Sequence, residues 1–304
     1  MKLTRTSTLL MVFGLSLMPI FSTAQIYVDV VQDSVPMSKG RYHAYSLTLS
    51  NATVEDAESI LREAFKPYKA KVTGNYKTEV FFDDAKIKAM SENTVDIYVR
   101  VYQASTDVKV DAFFDLGGIF LNPQTHPEQS KLAEQMMRDY AIRYKRFQVQ
   151  QELDQQKKLF AEQEKELESM IKEKEGMEKS IASSDRGIEK TRQTIASNDM
   201  DQQRKRAEIE TQKDVIIKIS DAVGEEKKVA EKTLKTLEKD LEKLEKDEEK
   251  LHESIQDQQS KIEENRRNIE RNLTDQSSKK QNIEAQKSKV SEVQSRLSGY
   301  PTFK

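Results

Sequence analysis

Leu153, Phe160, Leu167, Lys174, Ile181, Ile188, Ile195, Gln202, Ile209, Ile216, Val223, Ala230, Leu237, Leu244 and Leu251 form an unbroken seven-residue series. Thirteen of these fifteen positions are apolar, in a segment where only about a quarter of residues are. Random placement would put roughly four apolar residues there, so the series marks a helical seam. Residues 149–298 therefore read as a long α-helical coiled coil. No proline lies between Pro127 and Pro301 to interrupt it.

Two features predict that the coil is an antiparallel hairpin turning near 221–225, at Asp221-Ala222-Val223-Gly224. Before that point the second apolar position follows the first by three residues (Met170, Met177, Thr191, Ile219); after it a series four residues on takes over, from Leu234 through Ile262 and Ile283 to Leu297. Such a rotation of the seam marks a stutter or a turn. The arms on either side, 149–220 and 226–298, are also nearly equal, which returns the C-terminus to the start of the coil. The tail, 299–304, then brings Tyr300 and Phe303 back to dock. Against the hairpin, the Leu153 series keeps its phase through the turn, and a parallel dimeric rod is the alternative. Polar residues enter the seam at Lys174, Gln202, Gln258, Asn265 and Asn272. They read as a loosely packed, wet seam, with register-setting contacts as the sharper alternative. Ser183–Gly187 and Ser197–Asp199 are weak helix formers and candidate kinks.

Outward from the coil, the first 24 residues have the form of a signal peptide. Lys2 and Arg5 precede an apolar run from Leu9 to Phe21, and Ser22-Thr23-Ala24 makes a small-residue cleavage site. The run is short for a membrane span, and no later stretch is apolar enough for one. Export to the periplasm is the expectation, with a mature chain beginning at Gln25. The chain has no cysteine, so the head must hold together by its core alone. Without Lys2 and Arg5 it carries 48 basic and 52 acidic residues, a net charge of about −4. That balance argues against nucleic acid and against anionic lipid held by charge alone.

Residues 25–148 change pattern to short strands and read as an α+β head, one antiparallel sheet with helices on one face. Residues 42–49 form a strand. Thr53 caps a helix with Asp56 in the capping-box position, and Ala57, Leu61 and Phe65 share one face before Pro67 ends it. Strands follow at 69–73 and 78–82, with a turn near Gly74-Asn75. In 94–102, Val95, Ile97, Val99 and Val101 point one way; Asp96, Tyr98, Arg100 and Tyr102 point the other. Residues 107–115 alternate likewise, and a hairpin register that sets Arg100 opposite Asp111 pairs both charges. Leu132, Met136, Tyr140, Tyr144 and Phe147 make the apolar stripe of a last helix, which packs on the sheet and runs on into the coil.

Little in the chain carries chemistry. His43, His126 and His252 have no ligand spacing, and no phosphate loop or nucleophile elbow occurs. Asp83-Asp84 reads as a strand-end turn, Gly117-Gly118 as a turn, and Asp111 and Asp115 as the wet face of a sheet. No catalytic residue, metal ligand or cofactor is expected. The candidate partner-binding surface is the polar strand face of Tyr98, Arg100, Tyr102, Lys109 and Asp111, since tyrosine and arginine dominate binding hot spots. Asp33-Ser34-Val35 resembles an O-glycosylation acceptor on a segment read as flexible.

The order of signal peptide, Met37-Ser38-Lys39-Gly40, Val95-Asp96-Ile97-Tyr98-Val99, Phe114-Asp115-Leu116-Gly117-Gly118 and a long coil resembles a group of exported bacterial proteins with no known activity. The resemblance implies architecture and export only. The expected function is a non-enzymatic structural or interaction protein: the head binds a protein partner of the cell envelope and the coil acts as spacer or clamp. A holdase-type chaperone is the alternative, although residues 151–298 hold 31 basic and 35 acidic residues, without the basic arms usual in such clamps.

Overall fold

The computed structural model describes residues 28–76, 79–219 and 224–303. The predicted signal peptide and its cleavage site lie outside the described residues, as do Asp221–Val223 of the predicted turn. The elements are β1 (Val31–Met37), β2 (Gly40–Leu49), α1 (Val54–Phe65), a 3₁₀ turn (Lys66–Tyr68), β3 (Lys71–Tyr76), β4 (Glu79–Ala85), β5 (Val95–Ala104), β6 (Asp107–Asp115), α2 (Pro127–Lys218) and α3 (Glu225–Ser298). They fall into two compact units: residues through Asp154 together with Glu292 onward, and Gln155–Ser291. None of the described helices is long and apolar enough to cross a membrane.

The first unit is built on a six-stranded antiparallel sheet in the order β1-β2-β6-β5-β4-β3. Its inner face follows the alternation read in the sequence: Val95, Ile97, Val99 and Val101 of β5 lie beside Val108, Val110, Ala112 and Phe114 of β6, all at most 2% exposed. Helix α1 covers this face with Ala57, Leu61 and Phe65; the start of α2 adds Met137, Tyr140 and Tyr144. Thr53 accepts a hydrogen bond from the Asp56 amide at 3.1 Å, satisfying one of the free N–H groups at the helix start. Tyr140 donates to the Ala57 carbonyl at 2.9 Å, and Tyr45 to Ser130 Oγ at 2.8 Å, so the aromatic core leaves neither hydroxyl unpaired.

The edge strands differ from expectation at two places. Gly74 and Asn75 lie inside β3, where the register with β4 shifts between Val72 and Asn75; they mark an irregularity rather than the reversal. Asp33-Ser34-Val35 is not a loose segment but the middle of edge strand β1, paired along its whole length with β2. Of the two tail aromatics expected to dock, Phe303 meets an arginine of α2. Arg146 donates to the Pro301 carbonyl at 3.0 Å, the Arg143 guanidinium sits 4.1 Å from the Phe303 ring centroid, and Arg296 makes a two-armed pair with Glu152 at 2.9 and 3.0 Å.

In the second unit α2 and α3 pack against each other as a helical hairpin. Between Gln155 and Ser291, every described residue of the Leu153 series is buried or half-buried. The polar interruptions are not loose. Glu166 meets Lys279, Glu173 meets Asn272, Ser180 meets Asn265, and Gly187 lies against Gln258: four cross-helix contacts, each seven residues from the next on both helices. Asn198 donates to the Leu244 carbonyl at 3.1 Å, and Gln202, 4% exposed, donates to Glu248. Two of the five predicted interruptions bond within their own helix, Lys174 with Glu178 and Gln258 with Ser254. The expected kinks at Ser183–Gly187 and Ser197–Asp199 are continuous helix, and both hold cross-helix contacts.

Candidate functional site

Side chains that pair across the strands share a face, so the register assembles the outer face of the head residue by residue. Tyr98 pairs with Phe113 and Phe81, Arg100 with Asp111 and Glu79, Tyr102 with Lys109, and Asp111 with Ser46 of β2. All five predicted partner-binding residues therefore stand on this face. They are not equally open.

The β1–β2 hairpin arches over part of the face. Its two-residue turn, Ser38-Lys39, sits at one end of the sheet order, yet the Ser38 amide donates to Glu79 of β4 at 2.8 Å. In a flat sheet β2 and β4 would stand about 14 Å apart, so the hairpin must bend across the face. Arg100 donates to the Pro36 carbonyl at 2.5 Å. The Lys39 ammonium lies 4.4 Å from the Tyr98 ring centroid and 3.9 Å from Asp115. Bonding to Tyr98 and the charge of Asp115 hold the Lys39 ammonium above its ordinary pKa, against the opposing effect of burial. Gly40, at φ +135°, supplies the backbone conformation that ends this turn. Beneath the arch Tyr98 stacks on Phe81 at 4.5 Å, and Tyr42 stacks on Phe120 at 3.8 Å.

This arch overturns the reading of Asp111 and Asp115 as a wet face. Asp111 is 3% and Asp115 6% exposed. Asp115 accepts from the amides of Gly117 and Gly118 at 3.1 and 2.6 Å and so builds the turn after β6. Asp111 lies 3.9 Å from Arg100, the pair that the predicted register required. Tyr98 is 7% exposed and belongs to the packing. What stays open is the other end of the face, where Tyr102, Lys109 and Asp111 line a groove of about 440 Å³ with Ser46, Thr48 and the β1 residues Val31, Asp33 and Val35. The Arg100 guanidinium covers the Tyr102 ring at 5.0 Å. Burial, then the charge and hydrogen bond of Asp111, push the Tyr102 hydroxyl above its usual pKa.

Two side-chain atoms in the groove lining are closed off from water without a hydrogen bond: Ser46 Oγ and Asp111 Oδ2. Ser46, Asp33 and Lys39 were missed from sequence because a bend that carries one edge of a sheet over its own face leaves no local pattern. Elsewhere on the head, the carboxylates of Asp83, Asp84 and Asp96 come within 4.8 Å of one another, with Asp84 bonded to Thr94 at 2.8 Å and Asp96 accepting from the Asp84 amide at 3.2 Å. Asp83 and Asp84 lie inside β4, at the register shift between Phe82 and Ala85 with Asp84 at φ 57°, so they form a bulge rather than the expected strand-end turn, a third departure from the expected strands.

No protein-family model, no curated protein and no solved structure matches this chain.

Proposed function

We propose that this protein works by binding rather than by catalysis, as an exported, periplasmic interaction protein. Its head engages a protein partner, and its paired helices form an antiparallel coiled coil that serves as spacer or clamp. The observation that carries the binding reading is the open groove at Tyr102, Lys109 and Asp111, on a sheet face otherwise sealed by the chain's own hairpin turn. The spacer reading is supported by helix length: at about 1.5 Å per residue, the 74 residues of α3 extend about 110 Å. Cross-helix contacts at seven-residue intervals support the coiled coil.

The test is photocrosslinking in living cells, with a photoreactive amino acid in place of Lys109 or, as a comparison, of exposed Lys232 on α3. The proposal expects a discrete adduct from position 109. Adducts from position 232 alone would count against it. A holdase reading is favoured by exposed apolar side chains on the hairpin, such as Leu159, Met200 and Leu273. It predicts that the purified chain suppresses aggregation of an unfolded protein at stoichiometric ratio, and no suppression removes it.

A further inference from the structure

A second groove of the first unit is walled by two arginines that no carboxylate meets among the described residues. Arg143 and Arg146, neighbours on the surface of α2, are both half-buried. With Phe147, Gln150 and the tail residues Thr302 and Phe303 they line a space of about 420 Å³. Other arginines of this unit find an acid: Arg62 meets Glu58, Arg100 meets Asp111, Arg138 meets Glu134 and Arg296 meets Glu152. Arg143 instead lies over the Phe303 ring at 4.1 Å, a contact that leaves its N–H groups without an oxygen. Arg146 gives one amino group to the Pro301 carbonyl at 3.0 Å and keeps its other donors. Burial holds the Arg143 guanidinium below its ordinary pKa, although Asp139, Tyr68 and Glu63 act in the opposite direction. Two of these groups are engaged elsewhere: Asp139 accepts from Gln135 at 2.8 Å, and Glu63 stands 3.9 Å from Lys66. A partly buried cation short of counter-charge is unfavourable, and an arriving anion relieves it.

We propose that this groove binds a phosphoryl group between the Arg143 and Arg146 guanidiniums. The site shares no lining residue with the groove at Tyr102 and does not rest on the partner reading. Charge selects phosphoryl over carboxylate. The lining brings two positive charges and no acid. A phosphate monoester carries about two negative charges near neutral pH and has acceptor oxygens enough for each guanidinium to hold its own. A lone carboxylate brings a single charge, and one arginine grips it with both arms. The planar fork of a guanidinium also matches phosphate geometry. Thr302 is exposed at the groove and adds a hydroxyl donor. Phe147 offers an apolar wall for the organic part of an ester. The same group occurs on soluble esters and on lipid headgroups.

The test uses the whole exported chain labelled with ¹⁵N-arginine, at low ionic strength, where the attraction is least screened. The Arg143 and Arg146 side-chain resonances are assigned by their loss in Arg143→Gln and Arg146→Gln. The soluble probes are glycerol 3-phosphate and succinate, which carries the same charge on two carboxylates. Glycerol 3-phosphate is expected to shift both resonances saturably, and succinate to bind about tenfold more weakly or worse. Arg143→Gln, followed through Arg146, should weaken glycerol 3-phosphate about tenfold, the loss of one charge-assisted contact. Its unfolding temperature should stay unchanged, since Arg143 makes no hydrogen bond among the described residues. Arg62→Gln, on α1, is the control and should bind as the parent chain does. The lipid arm is co-sedimentation with phosphatidylcholine vesicles, with and without phosphatidic acid, whose headgroup is the same monoester. Equal affinity for succinate, no response to either phosphate probe, or undiminished binding in Arg143→Gln overturns the proposal. Saturable binding of glycerol 3-phosphate without co-sedimentation supports a soluble ester as the ligand. Co-sedimentation that needs phosphatidic acid and is lost in Arg143→Gln supports a lipid headgroup.

Discussion

In the head, Tyr45, Phe114 and Tyr140 are 0% exposed, whereas along the hairpin the seam from Phe160 to Leu251 is mostly half-buried. The contrast follows from geometry. A sheet with helices on one face encloses side chains from three directions, while two helices cover only a stripe on each other. The head is therefore defined by packing of large apolar groups. The hairpin buries less per residue, and its register is marked by polar pairs such as Ser180 with Asn265 and Glu173 with Asn272.

Changes in the two regions should differ in size and in sign. The largest loss belongs to the head: Phe114→Ala should destabilise it by about 3–5 kcal/mol, read by denaturant unfolding of the β-sheet signal, because the cavity forms in a closed core. A loss below about 1 kcal/mol would mean the core relaxes as freely as the hairpin. Next, Thr53→Ala removes the cap of α1 and should cost about 1 kcal/mol by the same measurement. In the hairpin, Gly187→Ala should act in the opposite direction. The added carbon would meet the tip of Gln258, 2.3 Å from its Oε1, but that tip can swing away. The gain in helix propensity then dominates, and the helical melting signal should show about 0.5–1 kcal/mol of stabilisation. A clear loss would show that this part of the hairpin is packed as tightly as the head. The smallest effect is expected at Glu166→Gln, which breaks the exposed pair with Lys279: about 0.2–1 kcal/mol, shrinking as salt is added.

The same contrast explains what could be read in advance. Alternation exposed β5 and β6, and the cap at Thr53 exposed α1, because each signal is local; the charges of Arg100 and Asp111 suggested the register that β5 and β6 adopt but left another open. Strand β1 escaped, since Pro36 and Asp33-Ser34 weaken its alternation and β2 is the one strand it pairs with. The site was half legible. Tyr102, Lys109 and Asp111 do line one groove, but the cover over Tyr98 and Asp115 comes from a turn that reaches β4 from the far side of the sheet. In the coil, the heptad series revealed the helices and their seam. It did not decide between hairpin and rod, because its phase persists across the interval between α2 and α3. Of the polar seam residues read as looseness, Gln202, Asn265 and Asn272 make cross-helix hydrogen bonds, which only the facing helix reveals.

The pairing of α2 with α3 within one chain is the central claim, and the absence of cysteine makes it directly testable. Ser180 and Asn265 lie in contact, with Asn265 donating to Ser180 Oγ at 3.1 Å. Ser180→Cys combined with Asn265→Cys, oxidised at low protein concentration, should give an intramolecular disulfide in a species of monomer mass. Ser180→Cys with Asn272→Cys, one heptad out of register, should react far more slowly. Disulfide-linked dimers from the first pair, or equal rates for the two pairs, would contradict the hairpin.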